Sequence, residues 1–155
     1  MGKISVEQSA FSSAAPADVF ALLVDGASWP DWAPVKSFEL VAESPAGGGG
    51  VGAVRAFNSG LTRSIEEVTT VEPPEVFGYR LTSSKVLHIR DYEALVRLTP
   101  EEGGTLITWS GSFRPLFPLS GWIWKRIISN LYVQFASGLA ECARGAQQHA
   151  SRESE

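Results

Sequence analysis

FPLSGWIWKRIISNLYVQFASGLAECARGAQQ, residues 117–148, is the stretch around which the rest of this chain is arranged. At helical spacing, Trp124, Ile127/Ile128, Leu131, Phe135, Leu139 and Cys142 fall on one stripe, while Arg126, Asn130, Ser137, Glu141 and Arg144 lie mostly off it. That pattern predicts an amphipathic helix of about 28 residues, on the order of 40 Å long. A helix with one apolar stripe needs a partner to bury it. Everything upstream is rich in strand signals, so a curved sheet is the expected partner.

Moving outward from the helix, alternation of apolar and polar residues predicts strands at Thr105 to Phe113, His88 to Leu98, Val76 to Thr82 and Leu61 to Val71. Turn-forming clusters separate them: Glu101-Glu102-Gly103-Gly104, Ser83-Ser84-Lys85, Glu72-Pro73-Pro74-Glu75 and Asn58-Ser59-Gly60. Two further strands are predicted at Val51 to Phe57 and Lys36 to Ala42. The glycine-rich run Ala46 to Gly52 between them lacks the Lys-Ser/Thr and following helix of a phosphate-binding loop, and is expected to be a hairpin turn. Lys3 to Phe11 is the first strand. After it, Pro16 suits the first turn of a short helix carrying Val19, Phe20, Leu22 and Leu23, which stops at Asp25-Gly26. Pro30 and Pro34 limit a second helix near Trp29 to about one turn. The short links predict an antiparallel meander. The chain is expected to be one α+β domain over residues 1–155, with a core at about 3–147 and a polar, fraying tail at 148–155.

Composition narrows the function. The 155 residues are 44% hydrophobic and 19% charged, with a net charge of −4 and scattered Lys and Arg. This is an ordinary globular balance, and no basic face for nucleic acid is expected. The single cysteine, Cys142, excludes an internal disulfide and fits a reducing compartment. Neither a signal-peptide run nor a membrane-spanning run is present, so a soluble, cytoplasmic protein is expected. The two histidines, His88 and His149, have no Cys or carboxylate at ligand spacing, so neither a metal nor a cofactor is expected. Ser110 and Ser112 have no His-Asp partners and no Gly-x-Ser-x-Gly elbow, which argues against hydrolase chemistry.

Several motifs in order carry a resemblance: Ala15-Pro16-Ala17-Asp18-Val19-Phe20, Trp29-Pro30-Asp31-Trp32-Ala33-Pro34, Gly50-Val51-Gly52-Ala53-Val54-Arg55, Glu67-Val68-Thr69 with Glu72-Pro73-Pro74, and Gly104 to Trp109. The chain resembles the START-like, helix-grip (SRPBCC) superfamily, in particular its bacterial polyketide cyclase/dehydrase branch. The resemblance spans about residues 3 to 147. It implies a curved antiparallel sheet of about seven strands wrapped around a long C-terminal helix, with two short helices after the first strand and a cavity between sheet and helix. It is specific for the fold and not for a reaction.

Parity then suggests which residues face that cavity. Ile107, Trp109, Gly111 and Phe113 share one face of the last strand; Tyr92, Ala94, Val96 and Leu98 share one face of the strand before; Phe77, Tyr79 and Leu81 share one on the next. The expected ligand-binding residues are Trp32, Phe57, Tyr79, Tyr92, Trp109, Phe113, Trp124, Ile128, Leu131 and Phe135, each also readable as plain core. Gly111 and Gly138 either leave room for a ligand or let backbones pack closely. Catalytic candidates are His88, Tyr92, Tyr79 and Arg55, with Arg63, Arg90 and Asp91 as further polar groups. Glu66 and Glu67 point to opposite faces, so only one can enter the cavity. Trp29 and Trp32 read either as a gate or as an apolar plug. Trp122 and Trp124 beside Lys125 and Arg126 suit a helix packed on the sheet and also a peripheral membrane contact. The partner implied is a small hydrophobic molecule, such as a lipid, an isoprenoid or an aromatic polyketide, bound by a monomer or homodimer. The alternative is an aromatase/cyclase that folds a poly-ketone with acid/base help.

Overall fold

The computed structural model describes residues 2–84 and 88–154. Seven strands form one antiparallel sheet: β1 (Ile4–Ser12), β2 (Ser37–Ala42), β3 (Val54–Asn58), β4 (Arg63–Glu72), β5 (Val76–Ser84), β6 (Ile89–Glu101) and β7 (Gly104–Pro115). Their order is β1-β7-β6-β5-β4-β3-β2. Strands β2 to β7 are the predicted meander, and β1 closes against the last of them, with Ile4 opposite Phe113 and Ser12 opposite Thr105. Between β1 and β2 lie α1 (Pro16–Val24) and a 3-10 helix at Gly26–Asp31 that contains Pro30. A 3-10 helix is tighter than an α-helix and suits a segment this short. The long helix α2 runs over Gly121–Glu153. This is the helix-grip architecture the sequence resemblance implies.

Several boundaries differ from the sequence reading. Strand β3 begins at Val54 because Gly52, at φ 91°, and the Gly50–Ala53 turn end the regular backbone before it. Leu61 is fully exposed in the β3–β4 turn, where Gly60 takes φ 89° and Ser59 bonds Thr62, so β4 starts two residues later. Ser83 and Ser84, expected in a turn, pair with Ile65 and Ser64 as the end of β5; Lys85 lies outside the described residues. The long helix extends beyond residue 147. Ala146, Gln148 and Arg152 are good helix formers with no breaker among them, and α2 continues to Glu153.

The buried face of α2 is also rotated from the predicted stripe. Ile128, Tyr132, Phe135, Ala136, Leu139, Ala140 and Ala143 are buried, Trp124, Leu131 and Cys142 are partly so, and Ile127 is exposed. The alanines let the helix approach β1 and α1 closely. Gln8 Nε2 donates to Ser129 Oγ at 2.7 Å and Ser12 Oγ donates to the Ala140 carbonyl at 2.8 Å, fixing the helix along β1. Both ambiguous glycines are settled by packing. A Cβ on Gly138 would collide with the Trp32 carbonyl, and one on Gly111 would collide with the Tyr132 hydroxyl. The helix-grip core therefore closes tightly at two points, which leaves any open space elsewhere.

Candidate functional site

Close to the Trp32–Gly138 contact, the 3-10 helix carries Trp29 into the centre of the molecule. Asp25 Oδ1 caps the Ala27 N–H at 3.2 Å; Ser28 Oγ lies 2.8 Å from the carbonyls of both Leu22 and Asp25, which share its one proton, and accepts the Trp32 indole N–H at 3.1 Å. Trp29 itself donates to the Leu23 carbonyl at 3.2 Å. Its ring packs against Trp32, Phe57, Tyr79, Trp109 and Phe135, with centroids 4.6 to 6.3 Å away. Edge-on and tilted aromatic contacts of this kind add to simple burial. Trp29 and Trp32 are both buried.

Beside this aromatic block lies a cavity of about 300 Å³. Trp29, Phe57, Tyr79 and Phe135 form its inner wall, with Tyr92, Ile128 and Leu131 beside them. Pro34, Val35, Ser59, Thr62, Leu81 and Gln134 complete the lining together with Ser64 and Glu66. The space exists because the inward positions at the start of β4 are Ser64 and Glu66, where a large apolar side chain would have filled it. Six of the ten residues expected to face a ligand line this cavity: Phe57, Tyr79, Tyr92, Ile128, Leu131 and Phe135. The other four lie elsewhere. Trp32 sits behind Trp29, Trp109 is fully buried against Phe135 and Tyr132, Phe113 is fully buried, and Trp124 packs near His88.

The polar groups are arranged in two sets. Arg55 is 1% exposed; its Nη2 is 2.7 Å from Glu66 Oε1, and its Nη1 donates to the Leu23 carbonyl at 3.0 Å. The guanidinium lies over Trp29, Phe57 and Phe77, 4.9 to 5.2 Å from their centroids. These cation–π contacts stand in for lost water. Arg55 thus belongs to the core below the cavity, while Glu66 reaches the cavity. Burial raises the Glu66 carboxyl above its ordinary value, and the neighbouring Arg55 charge and hydrogen bond pull the other way. Glu67, on the opposite face, pairs with Arg80 at 2.6 Å outside. The predicted one-in, one-out split of Glu66 and Glu67 holds.

The second set is a cluster of phenols. Tyr92 and Tyr132 share a hydrogen bond of 2.6 Å, and the Trp109 indole N–H donates to Tyr79 Oη at 3.2 Å. Burial raises all three phenols above the usual tyrosine value, with the nearby Glu66 charge reinforcing this for Tyr79 and Tyr132. They therefore stay protonated and able to donate. Tyr132 escaped the sequence reading because it lies beside the chosen helical stripe. Its signal was Gly111, the one small residue on a bulky strand face, which makes room for its hydroxyl.

His88 is exposed and makes tilted ring contacts with Phe117 and Trp124, at 5.5 and 6.1 Å between centroids, and is not among the cavity lining residues. Arg63 pairs with Glu39 at the surface, and Asp91 pairs with Arg114. Arg90 is exposed on β6. Among the described residues, no group of three or more His, Cys, Asp or Glu could hold a metal. No helix among them is long and apolar enough to cross a membrane.

A model of the family described as polyketide cyclase / dehydrase and lipid transport matches residues 3–144. Similar solved structures include a START superfamily protein from Mycobacterium smegmatis, with a TM-score of 0.79 at 15% identity over 94% of this chain and 99% of that one. The XoxI protein from Bacillus cereus has a TM-score of 0.71 at 20% identity over 92% and 95%. A Thermobifida fusca protein has a TM-score of 0.74 at 21% identity over 90% and 92%. These likenesses share the fold. No curated protein is significantly similar to the chain.

Proposed function

This chain belongs to the polyketide cyclase/dehydrase and lipid transport family, and on that premise we propose that it binds a small hydrophobic ligand in the cavity between sheet and helix. The observation that carries this reading is the cavity itself: about 300 Å³, walled mainly by aromatic and aliphatic side chains, with few polar groups. Small-molecule sites have this make-up. The volume is about twice the 150 Å³ cavity that holds one benzene, so a fused two-ring compound or a short isoprenoid unit suits it better than a full phospholipid. Phe57, Tyr79, Tyr92, Ile128, Leu131 and Phe135 would contact the ligand, and Thr62, Leu131 and Gln134 would border its way in.

As a cytoplasmic carrier the protein would collect or deliver its cargo at a membrane surface without spanning it. Exposed Phe117, Leu119, Trp122 and Ile123 beside Lys125 and Arg126 support such a contact. The test of ligand binding is native mass spectrometry of gently purified protein, followed by solvent extraction and a thermal-shift screen of small aromatics and isoprenoids. A bound apolar mass, or a ligand-dependent rise in Tm, is expected; Leu131→Trp, which fills the cavity, should abolish either. Absence of both from the unaltered protein would end the reading.

One observation favours a second reading, a cyclase. The cavity brings the Glu66 carboxyl and the Tyr79 and Tyr92 hydroxyls, which can pass and accept protons, against apolar walls that could fold a poly-ketone. Of the earlier candidates, Tyr79 and Tyr92 are in position, Arg55 would act only by holding Glu66, and His88 lies outside. With a poly-β-ketone thioester, Tyr79→Phe and Tyr92→Phe should lower aldol cyclisation by about 10²-fold or more, while His88→Ala leaves it unchanged. Equal turnover in all variants would discard this reading.

A further inference from the structure

Among the described residues that line the cavity, one carries a carboxyl group and none carries a basic group. Arg55, the cation paired with Glu66, is absent from the lining because the rings of Trp29, Phe57 and Phe77 enclose its guanidinium. No Lys, Arg or His is among the lining residues, whereas Glu66 is. A buried guanidinium cannot give up its proton, and protonation of Glu66 would leave that charge without its counter-ion. At neutral pH the 2.7 Å pair with Arg55 favours the carboxylate form of Glu66, against the burial that raises its carboxyl. The hydrogen bond it takes from Arg55 goes to Oε1 at 2.7 Å, and a carboxylate has further acceptor sites on both oxygens.

A ligand entering the cavity therefore meets a negative acceptor on a low-dielectric wall. A second carboxylate placed there would face like charge, with no Lys, Arg or His among the described lining residues to pair with, at a cost much greater than in water. A ligand hydroxyl would instead form a charge-assisted hydrogen bond, stronger than one between neutral groups. The Tyr92 and Tyr132 hydroxyls already engage each other, and Tyr79 Oη already takes the Trp109 N–H. Glu66 is left as the strongest acceptor facing the space.

We propose that Glu66 sets the ligand class: a neutral, apolar molecule bearing a hydroxyl or enol donor, with free carboxylic acids excluded. The proposal rests on the ligand-binding reading above. It predicts that simple fatty acids and aryl carboxylates are poor ligands even when their size fits.

Three probes of nearly equal shape separate the possibilities: 2-naphthol, naphthalene and 2-naphthoate, titrated at neutral pH by calorimetry or ligand-observed NMR. Naphthol is expected to bind about ten- to a hundredfold more tightly than naphthalene, and naphthoate more weakly than naphthalene. Glu66→Gln should narrow the gap between naphthol and naphthoate. Because that variant breaks the ion pair with Arg55, the double variant Arg55→Met/Glu66→Leu provides an apolar replacement. In it, naphthol and naphthalene should bind within about threefold of each other. Naphthoate binding as well as naphthol, or equal affinity for all three in the unaltered protein, would overturn the proposal and leave the cavity reading standing. Naphthol equal to naphthalene would remove the donor requirement. Failure of all three to bind would overturn the proposal and the cavity reading together.

Discussion

Two regions that share the same strands and the same helix end up opposite in character. Around Trp109 the molecule is filled. Trp29, Trp32, Tyr132 and Phe135 surround that indole, and the missing side chains of Gly111 and Gly138 let Tyr132 and the Trp32 backbone approach closely. Beside it, between Leu131 and Gln134 of α2 and Ser64, Glu66 and Leu81 of the sheet, the structure is open. Phe135 and Trp29 belong to both regions. The difference comes from side-chain volume at a few inward positions: glycine opposite a large side chain closes a gap, and serine opposite a leucine leaves one. An aromatic residue alone says nothing about which of the two it belongs to.

Breaking the floor that both regions share should have the largest effect. Arg55→Met leaves Glu66 as an unpaired buried charge, and a loss of about 3–5 kcal/mol is expected in denaturant unfolding. Adding Glu66→Leu should restore much of it. A single variant as stable as the parent would mean that the pair contributes nothing.

Trp109→Ala attacks the filled region and is expected to cost about 3–5 kcal/mol by the same measurement, through lost burial and the cavity left behind. A smaller but more diagnostic change is Gly138→Ala. Alanine is the better helix former by about 1 kcal/mol, yet here the new methyl meets the Trp32 carbonyl. A net loss of about 1–3 kcal/mol is expected, and a gain in stability would contradict the tight contact.

In the open region the balance reverses. Leu131→Trp should change stability by less than about 1.5 kcal/mol while weakening the affinity for naphthol at least tenfold, because it adds volume where space is available. If it destabilised the protein as much as Trp109→Ala, the cavity would not be open as described.

The smallest effect is a pH slope. The raised carboxyl of Glu66 means that the folded state holds its proton more readily than the unfolded state does. This contribution to stability is present in full below the ordinary glutamate value of 4.5 and is lost as pH rises through the folded value. Tm recorded across mildly acidic pH should therefore fall less steeply in Glu66→Gln than in the parent. Parallel curves would show that the Arg55 charge cancels the burial effect.

The fold was largely legible because it rests on period and punctuation. Alternation over seven segments, turn residues between them and one long amphipathic stretch leave few arrangements that bury every apolar face. Inward parity on β5, β6 and β7 was readable for the same reason, as was the split between Glu66 and Glu67. Strand ends were less legible, as Leu61 and Val51 show: a residue can fit the alternation and still sit in a turn that a neighbouring glycine's positive φ creates.

What the sequence determined by itself, then, was the order of strands and short helices, the long amphipathic helix at the end and the inward faces of the strands, with the helix-grip arrangement implied by resemblance. All of these depend on neighbours along the chain. Only the tertiary structure decided that Arg55 is enclosed by three rings, that Tyr132 shares the phenol cluster, that Trp32 and Trp109 pack while Phe57 and Leu131 face open space, and that His88 lies outside. These depend on distances between residues far apart in the chain, where α2 crosses the sheet and the 3-10 helix lies between them. A shift of one side-chain volume there decides between core and cavity, and no local pattern records it.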